Sequence, residues 1–263
     1  MSVFLSPLFS GSSGNAILAG SEKTKVLIDA GVSCRRIEQA LLSVGENIRD
    51  VRAILITHEH TDHIAGVSVT SRKYNIPVYM TEATLAACED RIELRSRLVR
   101  VIPKSDFYID DLLIEPFPLP HDAADPVGYC VSSGARKIAV ATDLGHFPKS
   151  VEYKLHDCDL VLLESNHDVQ MLINGRYPQV LKQRIKSRNG HLSNDDAGDA
   201  AVKLVSAGVT SILLGHLSAE NNSERLAFRT VTDALISCGI TPGRDLSLGL
   251  AFRDRVTGVF HVR

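Results

Sequence analysis

Within six consecutive positions, His58-Glu59-His60-Thr61-Asp62-His63, stand three imidazoles and an aspartate of the kinds that bind metal ions. Two histidines two residues apart can point into one site from a turn, while Asp62 and His63 beyond it can reach a second ion. Carboxylate oxygen and imidazole nitrogen together suit Zn²⁺ or Mn²⁺, and the lack of cysteine in the cluster argues against a closed structural zinc site. Three more residues of the same kinds, His121, Asp143 and His216, each follow an apolar run. A single histidine carries little weight, since most are ordinary surface or core residues. Seven ligand types, each placed directly after an apolar run, carry much more. A carboxylate shared by two ions about 3.5–4 Å apart would create a hydroxide nucleophile at neutral pH, so hydrolysis is the chemistry to expect.

Residues so far apart in sequence can meet only where strand ends share one rim of a sheet. The run at 53–57 (AILIT) is short and continuously apolar, as in a strand buried on both faces, and it, the strand candidate at 112–119 and the apolar runs at 138–142 and 211–214 all lead abruptly into polar residues. Further strands are expected at 3–5, 16–19, 25–29, 77–80 and 160–164, with the region 99–140 rich in strands. Ser33 reads as the N-cap of a helix with Ile37, Leu41 and Val44 on one face and Gly45 closing it. Helical patterns also begin at His63, at Asn194 (read as a cap, running to 207) and over 220–238, before two terminal strands. Strands and helices followed by strands and helices again predict a mixed α/β fold. Two sheets would pack face to face with helices outside, in one domain over 1–263.

Composition narrows the function classes. The chain has 263 residues, 44% of them hydrophobic and 23% charged, with 29 basic against 31 acidic residues. Such a sequence folds rather than staying disordered. The balanced charge argues against attachment to nucleic acid or membrane by bulk charge, though not against a local basic track. No apolar run is long enough to span a membrane, and the N-terminus lacks a signal-peptide pattern. The five scattered cysteines read as free thiols, so a cytoplasmic protein is expected.

The motif T-H-x-H-x-D-H at 57–63, with Asp29 before it and His121, Asp143 and His216 after it, resembles the five motifs of the metallo-β-lactamase superfamily across nearly the whole chain. That resemblance implies a four-layer αββα sandwich with the site on one rim. It implies that His58, His60 and His121 hold one metal, that Asp62, His63 and His216 hold the other, and that Asp143 bridges them. Asp29 would support the ligand turn without binding metal. Diiron oxidoreductases of this fold carry Glu where this sequence has His60, which favours a hydrolase. The short stretch after His216 fits glyoxalase II-like thioesterases poorly. The interval between Asp143 and His216 is too short for the β-CASP domain of the larger RNA-degrading members.

Residues 160–168 (LVLLESNHD) and 191–201 (HLSNDDAGDAA) resemble segments of phosphodiesterase branches in which a Glu and a His form a proton-donating pair, here Glu164 and His191. The chemistry agrees, because phosphodiester cleavage must protonate an alkoxide and a carboxylate-oriented imidazole suits that task. With FSGSSGN at 9–15, LIDAG at 27–31, GHLSN at 190–194 and LGHLS at 214–218, the sequence resembles the YycJ/WalJ-like exonucleases. That group is associated with 5′→3′ degradation of double-stranded DNA. The catalytic set is then Asp62, Glu164 and His191. Ser12, Ser13 and Asn15 can donate to a phosphate, His167 lies within the LESNHD segment, and Lys186 and Arg188 belong to the basic run LKQRIKSR at 181–188. A second basic run, RIELRSRLVR, covers 91–100. A lack of tryptophan makes stacking on single strands a weak option. Two other functions remain in view: a small-molecule phosphodiesterase, and a metal-bound scaffold without turnover.

Overall fold

Continuous apolar runs suit strands that face a neighbouring layer on both sides, and the computed structural model, which describes residues 2–103 and 105–262, uses them so. The first half runs β1 (Val3–Phe9), β2 (Ala16–Ser21), β3 (Lys25–Ile28), α1 (Cys34–Ser43), β4 (Val51–Leu55), α2 (Thr61–Ile64), α3 (Val67–Tyr74), β5 (Val78–Met80), α4 (Glu82–Cys88) and β6 (Val99–Val101). The second half runs β7 (Phe107–Ile109), β8 (Leu112–Pro118), β9 (Val127–Ser133), β10 (Arg136–Ala141), α5 (Lys149–Lys154), β11 (Leu160–Glu164), α6 (Val169–Asn174), α7 (Gln179–Ile185), α8 (Asn194–Ser206), β12 (Ser211–Gly215), α9 (Glu224–Ser237), β13 (Ser247–Leu250) and β14 (Phe260–Val262).

The strands form two seven-stranded sheets, ordered β14-β1-β2-β3-β4-β5-β6 and β13-β12-β11-β10-β9-β8-β7. In each, an antiparallel part passes into a parallel part, at β3/β4 in the first and at β10/β11 in the second. Alternate residues of one strand serve two cores. Val26 and Ile28 of β3 and Ile138 and Val140 of β10 meet between the sheets, while Leu27 packs toward α1 and α3 and Ala139 and Ala141 pack toward α5 and α8. The four layers are therefore αββα, the expected mixed α/β sandwich. No helix among the described residues is long and apolar enough to cross a membrane.

Several boundaries differ from expectation. The helix expected from His63 is two pieces, α2 and α3, broken at Ala65–Gly66 because the Gly66 N–H bonds back to the Ala30 carbonyl at 2.7 Å. Asn194 is not the cap of α8. Ser193 is, in a capping box with Asp196, and Asn194 is fully buried with its amide joined to Ser165 and Asn222. The helix α9 begins at Glu224, capped by Ser223, rather than at 220. The last strand leaves the second sheet and pairs with β1 in the first.

Candidate metal centre

The parallel strands deliver their C-terminal ends to one rim, where ligands gather in open α/β sheets. Asp29 directly follows β3, His58 lies just beyond β4, and His60 to His63 occupy the turn into α2. His121 lies past β8, Asp143 past β10, Glu164 ends β11, and His216 directly follows β12. Asp29, Asp143 and His216 have φ of 60°, 65° and 55°, left-handed values that are rare outside glycine. A strand that must turn sharply and present its side chain at once adopts that strained geometry at functional sites. The turn carrying Asp62 sits hard against Gly31, where a Cβ would fall 1.6 Å from the Asp62 carbonyl oxygen. That same carbonyl accepts the Asn15 N–H at 2.8 Å.

The imidazoles are oriented by their outer nitrogens. His63 Nδ1 donates to Asp29 Oδ2 at 2.7 Å, His121 Nδ1 to the Gly190 carbonyl at 3.0 Å, and His216 Nδ1 to Glu164 Oε1 at 2.8 Å. His58 Nδ1 lies 3.0 Å from Thr57 Oγ1, whose hydroxyl also meets Asp29 Oδ2 at 2.9 Å. The Nε2 atoms therefore face inward as lone-pair donors, the arrangement by which proteins fix a metal-binding tautomer. His58 Nε2 and His121 Nε2 converge on His60 Nδ1, at 3.0 and 3.3 Å. On the other side, His63 Nε2 and His216 Nε2 lie 3.5 and 3.8 Å from Asp62 Oδ2. Asp143 stands between the two groups, with Oδ2 3.4 Å from His63 Nε2 and Oδ1 3.8 Å from His121 Nε2 and 3.5 Å from His216 Nε2. Ligand atoms of His58/His60/His121, of His58/His63/Asp143 and of Asp62/His63/His216 each lie within 4.8 Å of one another. Asp143 Oδ2 and His216 Nε2 are buried without a hydrogen-bond partner, a costly state that a divalent cation would relieve. The residues fit a metal.

Charge is unevenly spread over the cluster. Burial and the neighbouring imidazoles hold His58 and His60 below the usual histidine range, so both are neutral donors. Burial also opposes charge on His216 and His63, yet Asp143 with Asp62 and Glu164 lifts His216 to about 10, and Asp29, Asp143 and Asp62 raise His63 strongly. The Asp62 side is thus a field that calls for positive charge. Glu164, fully buried, links this field to His191. Its Oε1 accepts from His191 Nδ1 and His216 Nδ1, both at 2.8 Å, and its Oε2 accepts the Leu144 and Leu192 N–H groups at 2.9 and 3.1 Å. Burial disfavours the His191 cation, but the Glu164 carboxylate and then Asp143 outweigh it and raise its pKa.

A cavity of about 340 Å³ opens over these groups, lined by His60, Asp62, Asp143, His191 and His216 and by Ser12, Asn166 and Ser218. Other residues expected to meet substrate lie elsewhere. Ser13 is exposed outside the cavity. Asn15 is buried beneath it, where its Oδ1 accepts the Gly11 N–H and its amide nitrogen lies 3.0 Å from His63 Nε2. His167 is buried behind the rim, with burial pushing its pKa down to about 4. Lys186 and Arg188 are exposed outside the lining, and Arg188 bonds His146. The basic residue of that run that does line the cavity is Arg184, with Leu181 and Ile185 on the same face of α7. The i, i+3, i+4 spacing was the available signal. Arg184 pairs with Asp122, and from the opposite run Arg91 lines the cavity while bonding Glu59 O and Thr61 Oγ1.

Comparison with known proteins agrees with this architecture. The beta-lactamase superfamily domain matches residues 24–216. The chain is 38% identical to Exodeoxyribonuclease YycJ of Bacillus anthracis, over 92% of this chain and 93% of that one. It is 37% identical to Exodeoxyribonuclease WalJ of Streptococcus pneumoniae, over 94% and 91% of the two chains. The metallo-beta-lactamase fold protein YhfI from Bacillus subtilis superimposes with a TM-score of 0.75 at 16% identity, covering 99% of both chains. Rim cluster and sandwich together are those of a metallo-β-lactamase-fold, metal-dependent hydrolase. The chain belongs to the beta-lactamase superfamily and, within it, to the group of relatives named as the exodeoxyribonucleases YycJ and WalJ.

Proposed function

We propose that this single-domain protein is a dinuclear 5′→3′ exonuclease of double-stranded DNA. The observation that carries the two-metal reading is Asp143, whose two oxygens stand between the His58/His60/His121 group and the Asp62/His63/His216 group. Support for DNA comes from relatives named as exodeoxyribonucleases that match over nine-tenths of the chain. Polarity and duplex preference follow from the resemblance to that group. A cytoplasmic setting accords with five free cysteines, four of them buried.

His58, His60 and His121 would hold one ion, Asp62, His63 and His216 the second, and Asp143 both. When bound, two divalent ions, Zn²⁺ or Mn²⁺, polarise the phosphoryl oxygens and make water acidic enough to attack near neutral pH. The protein supplies the rest. Asp29, Thr57, the Gly190 carbonyl and Glu164 hold the ligand imidazoles in one tautomer. His191, made cationic more readily by Glu164, lines the cavity and delivers a proton to the departing oxygen. Ser12, Arg91 and Arg184 at the cavity wall meet phosphate oxygens, with positional rather than sequence-reading contacts.

The test is digestion of duplex DNA labelled separately at each 5′ end, with Mn²⁺ and a chelator control. Stepwise chelator-sensitive loss from the 5′ end is the expected result. Intact duplex from protein holding two metals per chain, alongside cleavage of a small phosphodiester, would replace the nuclease with a small-molecule phosphodiesterase. No hydrolysis of either would leave a metal-bound scaffold.

A further inference from the structure

Beyond Ser218 the catalytic cavity meets a second one of about 420 Å³, and Ser218 lines both. Two loops build its floor. The Ser10 N–H bonds the Phe252 carbonyl at 3.1 Å, and Ser10 Oγ accepts the N–H of His216 at 3.0 Å, so the loop after β13 crosses the same rim as the ligands. Arg253 on that loop lies against Gly11, so closely that a Cβ there would fall 2.5 Å from its side chain. Arg225, in the first turn of α9, and Arg255 complete the basic lining. Glu224 and Asp254 are the acids present, and both face the Arg255 guanidinium, at 3.4 and 3.5 Å. Arg255 is further held over the Phe252 ring. The Arg225 and Arg253 side chains make no ion pair or hydrogen bond among the described residues. The two arginines of the catalytic cavity differ, for Arg91 and Arg184 already bond protein oxygens.

Arg253 is half-buried and Arg225 exposed, and an unpaired guanidinium beside the proposed phosphodiester-cleaving site is placed to take a phosphate, since it meets phosphate oxygens bidentately and sacrifices no existing pair. We infer that the second cavity is a phosphate subsite, in which Arg225 and Arg253 bind backbone phosphates of the DNA strand that runs past Ser218 from the cleaved bond. This rests on the nuclease reading and adds to it the path the strand takes. It also explains how a chain of net charge −2 can track a polyanion, since only a local pair of free cations is needed.

The experiment uses the metal-loaded full chain and follows KM for duplex DNA against salt concentration. Each phosphate contact contributes close to one unit to the slope of log affinity against log salt. The double variant Arg225→Ala/Arg253→Ala is expected to raise KM at least tenfold at moderate salt, with the loss in KM rather than kcat, and to flatten the slope by about two. Because Arg253 also packs on Gly11, Arg225→Gln is a second variant on the exposed start of α9. It leaves that packing alone and should flatten the slope by about one. Wild-type digestion of DNA with unchanged KM and slope in both variants overturns the subsite alone. A wild-type protein that cleaves small phosphodiesters but leaves DNA intact overturns the nuclease reading and the subsite with it.

Discussion

Both halves of the chain build a sheet that is antiparallel on one side and parallel on the other, yet they hold their ligands differently. In the first half, His58, His60, Asp62 and His63 ride on one turn fastened by main-chain bonds. Asn15 N–H donates to Asp62 O, Ala30 N–H to His63 O, and Gly66 N–H to Ala30 O, at 2.8, 2.9 and 2.7 Å. In the second half each strand end supplies one residue, and a single carboxylate, Glu164, ties His216, His191 and two backbone N–H groups together. Support is therefore shared between the backbone and buried Asp29, which holds His63 and Thr57, on one side, and concentrated in one buried side chain that also holds the proton donor on the other. Damage to any one side chain should be felt more in the second half.

The largest effect should come from the residue both halves share. Asp143→Ala is expected to remove both metals and to lower DNA turnover at least a thousandfold, read by metal analysis and by digestion of labelled duplex. Loss of one metal alone would mean that Asp143 belongs to one group and that the halves bind independently. His191→Ala comes next, with two metals retained and kcat down about 10²–10⁴-fold, the usual worth of a general acid. Wild-type turnover in that variant would remove the proton-donor role.

This contrast also decides how much could be read before the fold was known. The first-half ligands are contiguous in sequence, so His58 to His63 stand out as a motif, and the strands on either side are visible because burial on both faces makes them continuously apolar. The second-half ligands are isolated residues whose meeting depends on three parallel strands ending at one height, which their types alone do not encode. They become legible only as a set, or through resemblance. Nothing in the composition marks Asp29, Asp143 and His216 as left-handed turns out of strands. On the substrate side the sequence is less informative, because charge counting ignores direction. Along 181–188 helical spacing turns Arg184 into the cavity, while Lys186 and Arg188 lie outside it. Asn15 has the right chemistry for phosphate but is spent inside, on Gly11 and His63.

A paired substitution sharpens the comparison. Asp29→Asn and Glu164→Gln each remove the charge behind one ligand imidazole, His63 in the first half and His216 in the second. Loss of such an outer partner costs about 10–100-fold in metal affinity. Glu164→Gln should in addition lower kcat at saturating metal, because His191 loses the same partner. Asp29→Asn should recover its kcat when metal is supplied in excess. Equal kcat losses in both variants would show that the proton donor does not depend on Glu164.

The smallest effect is expected on the helix that continues the ligand turn. Glu38 on α1 accepts hydrogen bonds from Lys73 and Tyr74 at the end of α3, both at 2.7 Å, and from Cys34. These bonds, led by the one from Lys73, hold its carboxyl down at about 2 against an ordinary 4.5. A depressed carboxylate stabilises the fold at pH values above its unfolded pKa, and that contribution is lost as pH falls from about 4.5 toward 2. The group is close to solvent, so screening keeps the effect small. Glu38→Gln should lower Tm by no more than a few degrees at pH 7, and the difference from wild type should shrink as pH falls through that window. If main-chain bonds to Asn15 and Ala30 fix the ligand turn, metal content will be untouched, since α3 only follows the turn. A variant that loses metal along with Tm would show instead that helix docking sets the first-half ligands, and the distinction between distributed and concentrated support would fail on its own ground.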